Sequence, residues 1–69
     1  MKIKEQQILK LAFDTVFDVD GHVKNCRREA CSNLIHLMKK YSSKNVGDES
    51  TGTLNVDVMK SEYYRVIVR

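Results

Sequence analysis

Apolar residues cluster at helical spacing in the first two thirds of the chain and alternate in the last third. Between residues 4 and 19, Ile8, Leu9, Leu11, Ala12, Thr15, Val16 and Val19 recur every three or four positions, which predicts a first helix. Phe13 and Phe17 widen this arc on one flank, leaving Gln7, Lys10, Asp14 and Asp18 as a narrow polar strip. So wide an arc exceeds what one neighbouring element covers, so the helix is expected to have neighbours on two sides.

Asp18-Val19-Asp20-Gly21 is expected to end that helix and start another. Gly21 suits a left-handed cap, and Asp18 or Asp20 can accept bonds from the first N–H groups of the next helix. The second helix is predicted over residues 22–41. Val23, Cys26, Ala30, Leu34, Leu37, Met38 and Tyr41 form its stripe, and Lys39, Lys40 and Lys44 complement its dipole.

Residues 42–52, "SSKNVGDESTG", are polar and aperiodic and read as a mobile loop. Over 53–69 the period becomes two, which predicts a β-hairpin. Leu54, Val56 and Val58 then face Val68, Val66 and Tyr64, with Lys60-Ser61-Glu62 as the turn and Asp57 opposite Arg65. The expected fold is a single α+β domain in the order α-α-β-β. Its expected core is Ile8, Leu11, Ala12, Val16, Val23, Ala30, Leu34, Leu37, Leu54, Val56, Val66 and Val68.

Composition adds bounds. Sixty-nine residues make one domain with a small core, and such domains usually need a disulfide, a metal or a second subunit. The net charge of +3, with 12 Lys and Arg spread among 9 Asp and Glu, is milder than the dense patch of most nucleic-acid binders. The opening "MKIKEQQILKLAF" is too interrupted for a signal peptide, and no apolar run is long enough for a membrane span. A cytoplasmic protein is therefore expected, with Cys26 and Cys31 as reduced thiols.

The segment from Asp18 to Lys40 holds the candidate chemistry. A calcium loop needs oxygen ligands at both ends. With Gly21 at the loop glycine, Val16 and Arg27 fall where the first and last ligands belong. A zinc site on one helix fails on spacing: His22 and His36 are separated by roughly 21 Å of helix. His22 with Cys26 offers half a site at best. Cys26 and Cys31, five apart on a helix, point away from each other and do not suit a disulfide. The only base near a thiol is His22, one turn from Cys26, and there is no Gly-rich or acidic cleft. No enzyme, metal or cofactor is expected.

Two partner readings remain. Two helices joined at a glycine and followed by a hairpin are similar to a winged helix-turn-helix, and Lys24, Asn25, Arg28, Ser32, Asn33, His36 and Lys39 would form its basic face. Against it, Asp20 and His22 fall where buried apolar residues belong, and Phe17 where a small one is needed. Arg27 falls at a core position, and a third helix is missing. The favoured expectation is a small non-enzymatic interaction or regulatory module acting as a homodimer. The terminal strand, through Tyr63, Arg65 and Ile67, is expected to pair with a second copy, and Phe13 and Phe17 to supply surplus apolar surface.

Overall fold

The computed structural model describes residues 2–25 and 27–68, with side chains over 5–25 and 27–67. Cys26, Arg69 and the side chain of Val68, which the sequence reading used, lie outside the described residues. Helix α1 spans Lys2–Val16, α2 Arg28–Met38, and α3 Val56–Tyr63. Between α2 and α3, strands β1 (Gly47–Asp48) and β2 (Thr53–Leu54) form an antiparallel pair. The class is α+β, but the order is α-α-β-β-α.

The first helix stops three residues early because the chain finds better partners there. Asp18 Oδ1 accepts the backbone N–H groups of Asp20 and His22, each at 2.9 Å, and so closes a turn on itself rather than capping a helix. Phe17 then pairs with Val23 in an isolated antiparallel bridge, and the N–H groups of Lys24 and Asn25 both reach Val16 O. Val23 is held in that bridge and residues 22–25 stay out of helix, so α2 starts at Arg28, not near His22, and it gives way to turn after Met38. Gly21 sits buried in this loop at φ 81°, and a Cβ there would meet Lys60 Cε at 3.1 Å. The absence of a side chain lets the loop seat against α3.

The stretch expected to be a mobile loop, 42–52, instead holds strand β1 and the turn that leads into β2. Asp48 builds its turn: Oδ1 accepts the N–H and hydroxyl of Ser50, and its carbonyl accepts the Gly52 N–H at 2.8 Å. Gly47 pairs with Leu54 and Asp48 with Thr53.

The largest correction concerns the C-terminal β-hairpin. Only Thr53–Leu54 is strand, and it pairs backwards onto β1; residues 56–63 are α-helix, continued by a π-helical segment at Tyr64–Val68. Lys60-Ser61-Glu62 lies inside the helix, not at a turn, and Arg65 pairs with Glu62 rather than across a ladder with Asp57. No C-terminal strand edge exists at 63–68 to extend a sheet into a second copy. The physical reason is that packing overrides the strand preference of Val56, Val58, Val66 and Ile67. Met59, Glu62 and Tyr63 are buried at helical spacing, with Val66 and Ile67 packed behind them.

The core lies between α1, α2 and α3. Leu9, Ala12, Phe13, Val16 and Phe17 face Cys31, Leu34, Ile35 and Met38, closed by Val46, Met59 and Tyr63. Of the expected core, Ala12, Val16 and Leu34 are buried, while Ala30, Leu37, Leu54, Val56 and Val66 are half-buried. Ile8, Leu11 and Val23 are exposed instead. The buried stripe of α1 runs Leu9–Ala12/Phe13–Val16, about one residue round from the predicted one. Phe13 stacks on Tyr63 with ring centroids 3.7 Å apart and on Phe17 at 4.4 Å, so the rings expected to be surplus occupy the centre of the monomer.

Candidate interaction surface

A buried carboxylate fixes how α3 sits, and therefore which side of α1 stays open. Glu62 is 2% exposed. It accepts from Ser42 Oγ, from Arg65 Nη2 at 2.9 Å and Nε at 3.3 Å, and lies 3.7 Å from Lys44 Nζ. Arg65 also donates to Tyr41 O at 3.1 Å. The Arg65 guanidinium, then the Ser42 hydroxyl, hold the Glu62 carboxyl down to about 2 against the opposing effect of burial. The cluster ties α3 to the turn after α2 and keeps Tyr63 stacked on Phe13. Burial, helped by nearby Asp14 and Tyr64, pushes the Tyr63 phenol up to about 12.

With the inner side of α1 so covered, its outer side remains in solvent. Ile8 is 52% and Leu11 67% exposed. Shallow hollows flank the pair: one of about 50 Å³ is lined by Glu5, Ile8, Leu37, Lys40 and Tyr41. The other, of about 260 Å³, is lined by Gln7, Lys10, Leu11 and Asp14. Thr15, one turn beyond Leu11, donates its hydroxyl to Leu11 O at 2.8 Å. Sequence reasoning missed this surface because it placed Ile8 and Leu11 in the core; the signal available was the width of the apolar arc.

The residues expected at a dimer contact are placed otherwise. Phe13, Phe17 and Tyr63 are buried within the monomer, Arg65 is committed to Glu62 and Tyr41, and Ile67 is half-buried against the core. Phe13, Phe17 and Tyr63 therefore offer no contact surface without unpacking the domain.

The basic face is only partly assembled. Arg28, Ser32, His36 and Lys39 do lie along one side of α2, where a groove of about 450 Å³ also takes in Glu29 and Asn33. Yet the β-hairpin lies along that side. Ser32 Oγ donates to Glu49 O at 2.7 Å, His36 Nδ1 meets Glu49 Oε2 at 2.9 Å, and Lys39 Nζ lies 3.7 Å from Glu49 Oε1. Gly52, at φ 72°, presses on Arg28, where a Cβ would lie 2.8 Å from both its Cγ and its carbonyl oxygen. Lys24 is exposed in the preceding loop, and Asn25 spends its side-chain oxygen on the Arg27 N–H. A carboxylate thus stands among the cations where a phosphate would have to bind.

Of the residues weighed for zinc, His22, Cys31 and His36 do not converge. Cys31 is buried and directs its thiol to Asn25 O at 3.6 Å, while His22 and His36 are exposed on separate elements. The half-site of His22 with Cys26 depends on Cys26, which lies outside the described residues. Asp18, Asp20 and His22 offer ligand atoms within 4.8 Å of one another. The turn accounts for that grouping: the His22 N–H, then the Asp20 N–H, hold the Asp18 carboxyl below its ordinary range. No helix among the described residues is long and apolar enough to cross a membrane. The chain matches no family model, and no curated protein or solved structure resembles it significantly.

Proposed function

We propose that the chain is a small non-enzymatic interaction module that works as a homodimer through the outer side of α1. The observation that carries this reading is the exposure of Ile8 and Leu11, one turn apart on a helix whose other side is fully packed. Removing two such side chains per copy from water stabilises a dimer by about 1 kcal/mol or more for each. The cost of association consumes most of that gain, so the dimer is weak and concentration-dependent. A weak homodimer suits a regulatory module that forms and dissolves with abundance.

Dilution followed by amide NMR tests the reading. Between millimolar and low micromolar protein, resonances of Gln7, Ile8, Lys10, Leu11, Asp14 and Thr15 should shift together, and those of α3 should not. Shifts confined to another face, or none, would contradict it. The alternative, a nucleic-acid-binding regulator using the polar face of α2, is disfavoured by Glu49 among Ser32, His36 and Lys39.

A further inference from the structure

Resting on the homodimer reading, we infer that the second copy packs its own α1 antiparallel to the first, about a two-fold axis at the level of Leu11. In this register Lys10 of each copy lies beside Asp14 of the other. The helix repeat of about 100° and about 1.5 Å per residue sets the arrangement. Viewed from outside along Leu11, Lys10 lies about 100° and Asp14 about 60° to one flank, while Ile8 and Thr15 lie about 60° and about 40° to the other. A two-fold perpendicular to the helix keeps each residue on its own flank and inverts its height.

Lys10, about 1.5 Å below Leu11, then meets Asp14 of the second copy, brought about 4.5 Å below it. On the opposite flank Ile8 meets Thr15 of the second copy, whose hydroxyl is already occupied by Leu11 O and whose methyl is left for contact. Leu11 meets its own equivalent on the axis. Two lysine–aspartate pairs thus flank an apolar strip, the self-complementary pattern of an isologous contact. Parallel pairing about a two-fold along the helices would instead set the Lys10–Asp14 flank of each copy against the Ile8–Thr15 flank of the other, leaving both charges without an opposite partner. Among the described residues neither Lys10 nor Asp14 has an ion-pair partner within the monomer, so both charges are available for the contact.

Sedimentation equilibrium on wild type, Lys10→Asp, Asp14→Lys and an equimolar mixture of the two variants tests the register. Both positions are exposed, so circular dichroism should report the same fold throughout. Each variant alone should associate about tenfold more weakly than wild type, because two attractive pairs become repulsive. The mixture should recover wild-type association, since every contact in the mixed dimer again joins opposite charges. If each variant alone dimerises as tightly as wild type, the antiparallel register is wrong while the homodimer stands. If wild type is monomeric at every concentration, the homodimer reading and the register fall together.

Discussion

The two sides of α1 carry the same kinds of residue and meet opposite fates. Leu9, Phe13 and Val16 are sealed under α2 and α3, while Ile8 and Leu11, equally apolar, stand in water. Hydrophobicity alone therefore did not decide burial; the position of the neighbours did. One side is covered because Tyr63 stacks on Phe13 and the Glu62 cluster locks the helix that carries Tyr63. The other is left open because, among the described residues, no element packs over Ile8 and Leu11. The covered side holds the fold together, and the open side is what a partner can use.

Breaking the covered side should have the largest effect. Phe13→Ala removes a ring stacked on both Phe17 and Tyr63 and should cost about 3–5 kcal/mol. That is comparable to the whole stability of a domain this size, so circular dichroism should show a largely unfolded chain at room temperature.

Acid should loosen the same side next. The Glu62 carboxyl is depressed from its ordinary 4.5 to about 2, so its stabilising effect is complete above the ordinary value and is lost as pH falls towards the lower one. Denaturant midpoints measured from pH 6 down to pH 2, values chosen to span that interval, should fall through it (about pH 4 and below). Glu62→Gln should lower the midpoint at neutral pH and flatten the acid dependence. Alkali acts through Tyr63 in the opposite sense. Its phenol is raised from 10 to about 12, so stability is intact below the ordinary value and declines as pH rises between the two. An absorbance titration should show one of the three tyrosines ionising late, and Tyr63→Phe should remove that late step.

Much of α1 and the second half of α2 was legible in the sequence, because 3-and-4 spacing is a direct record of which side is buried. The wide arc of α1 was legible too, but not which part of it would be covered. Phase depends on the neighbours, and a one-residue rotation exchanged Ile8 and Leu11 for Leu9 and Phe13. The C-terminal segment was misread for a different reason. Its helical stripe runs Met59, Glu62, Tyr63, and the central member is a carboxylate that counts as polar in any pattern. Only its partners, the distant Ser42 and Lys44 together with Arg65 one turn further on, make that position a buried one. With Glu62 removed from the stripe, the remaining valines alternate and read as strand. The β-hairpin was hidden in the same way, since its strands are two residues long and its turn is held by Asp48 and Ser50 rather than by apolar contacts.

The smallest expected change in stability falls on the open side, and there the account of function is most exposed. Leu11→Lys should shift folding free energy by no more than about 0.5 kcal/mol, because the side chain it replaces already stands in solvent. The most direct measurement is the molar mass of wild type and Leu11→Lys by light scattering across micromolar to millimolar protein. Wild type should climb from near the 8.0 kDa monomer towards twice that mass, while Leu11→Lys, still folded, should stay near 8.0 kDa throughout. A wild type that never rises above the monomer mass, or a Leu11→Lys variant that dimerises equally well, would contradict the claim that the outer side of α1 is the contact.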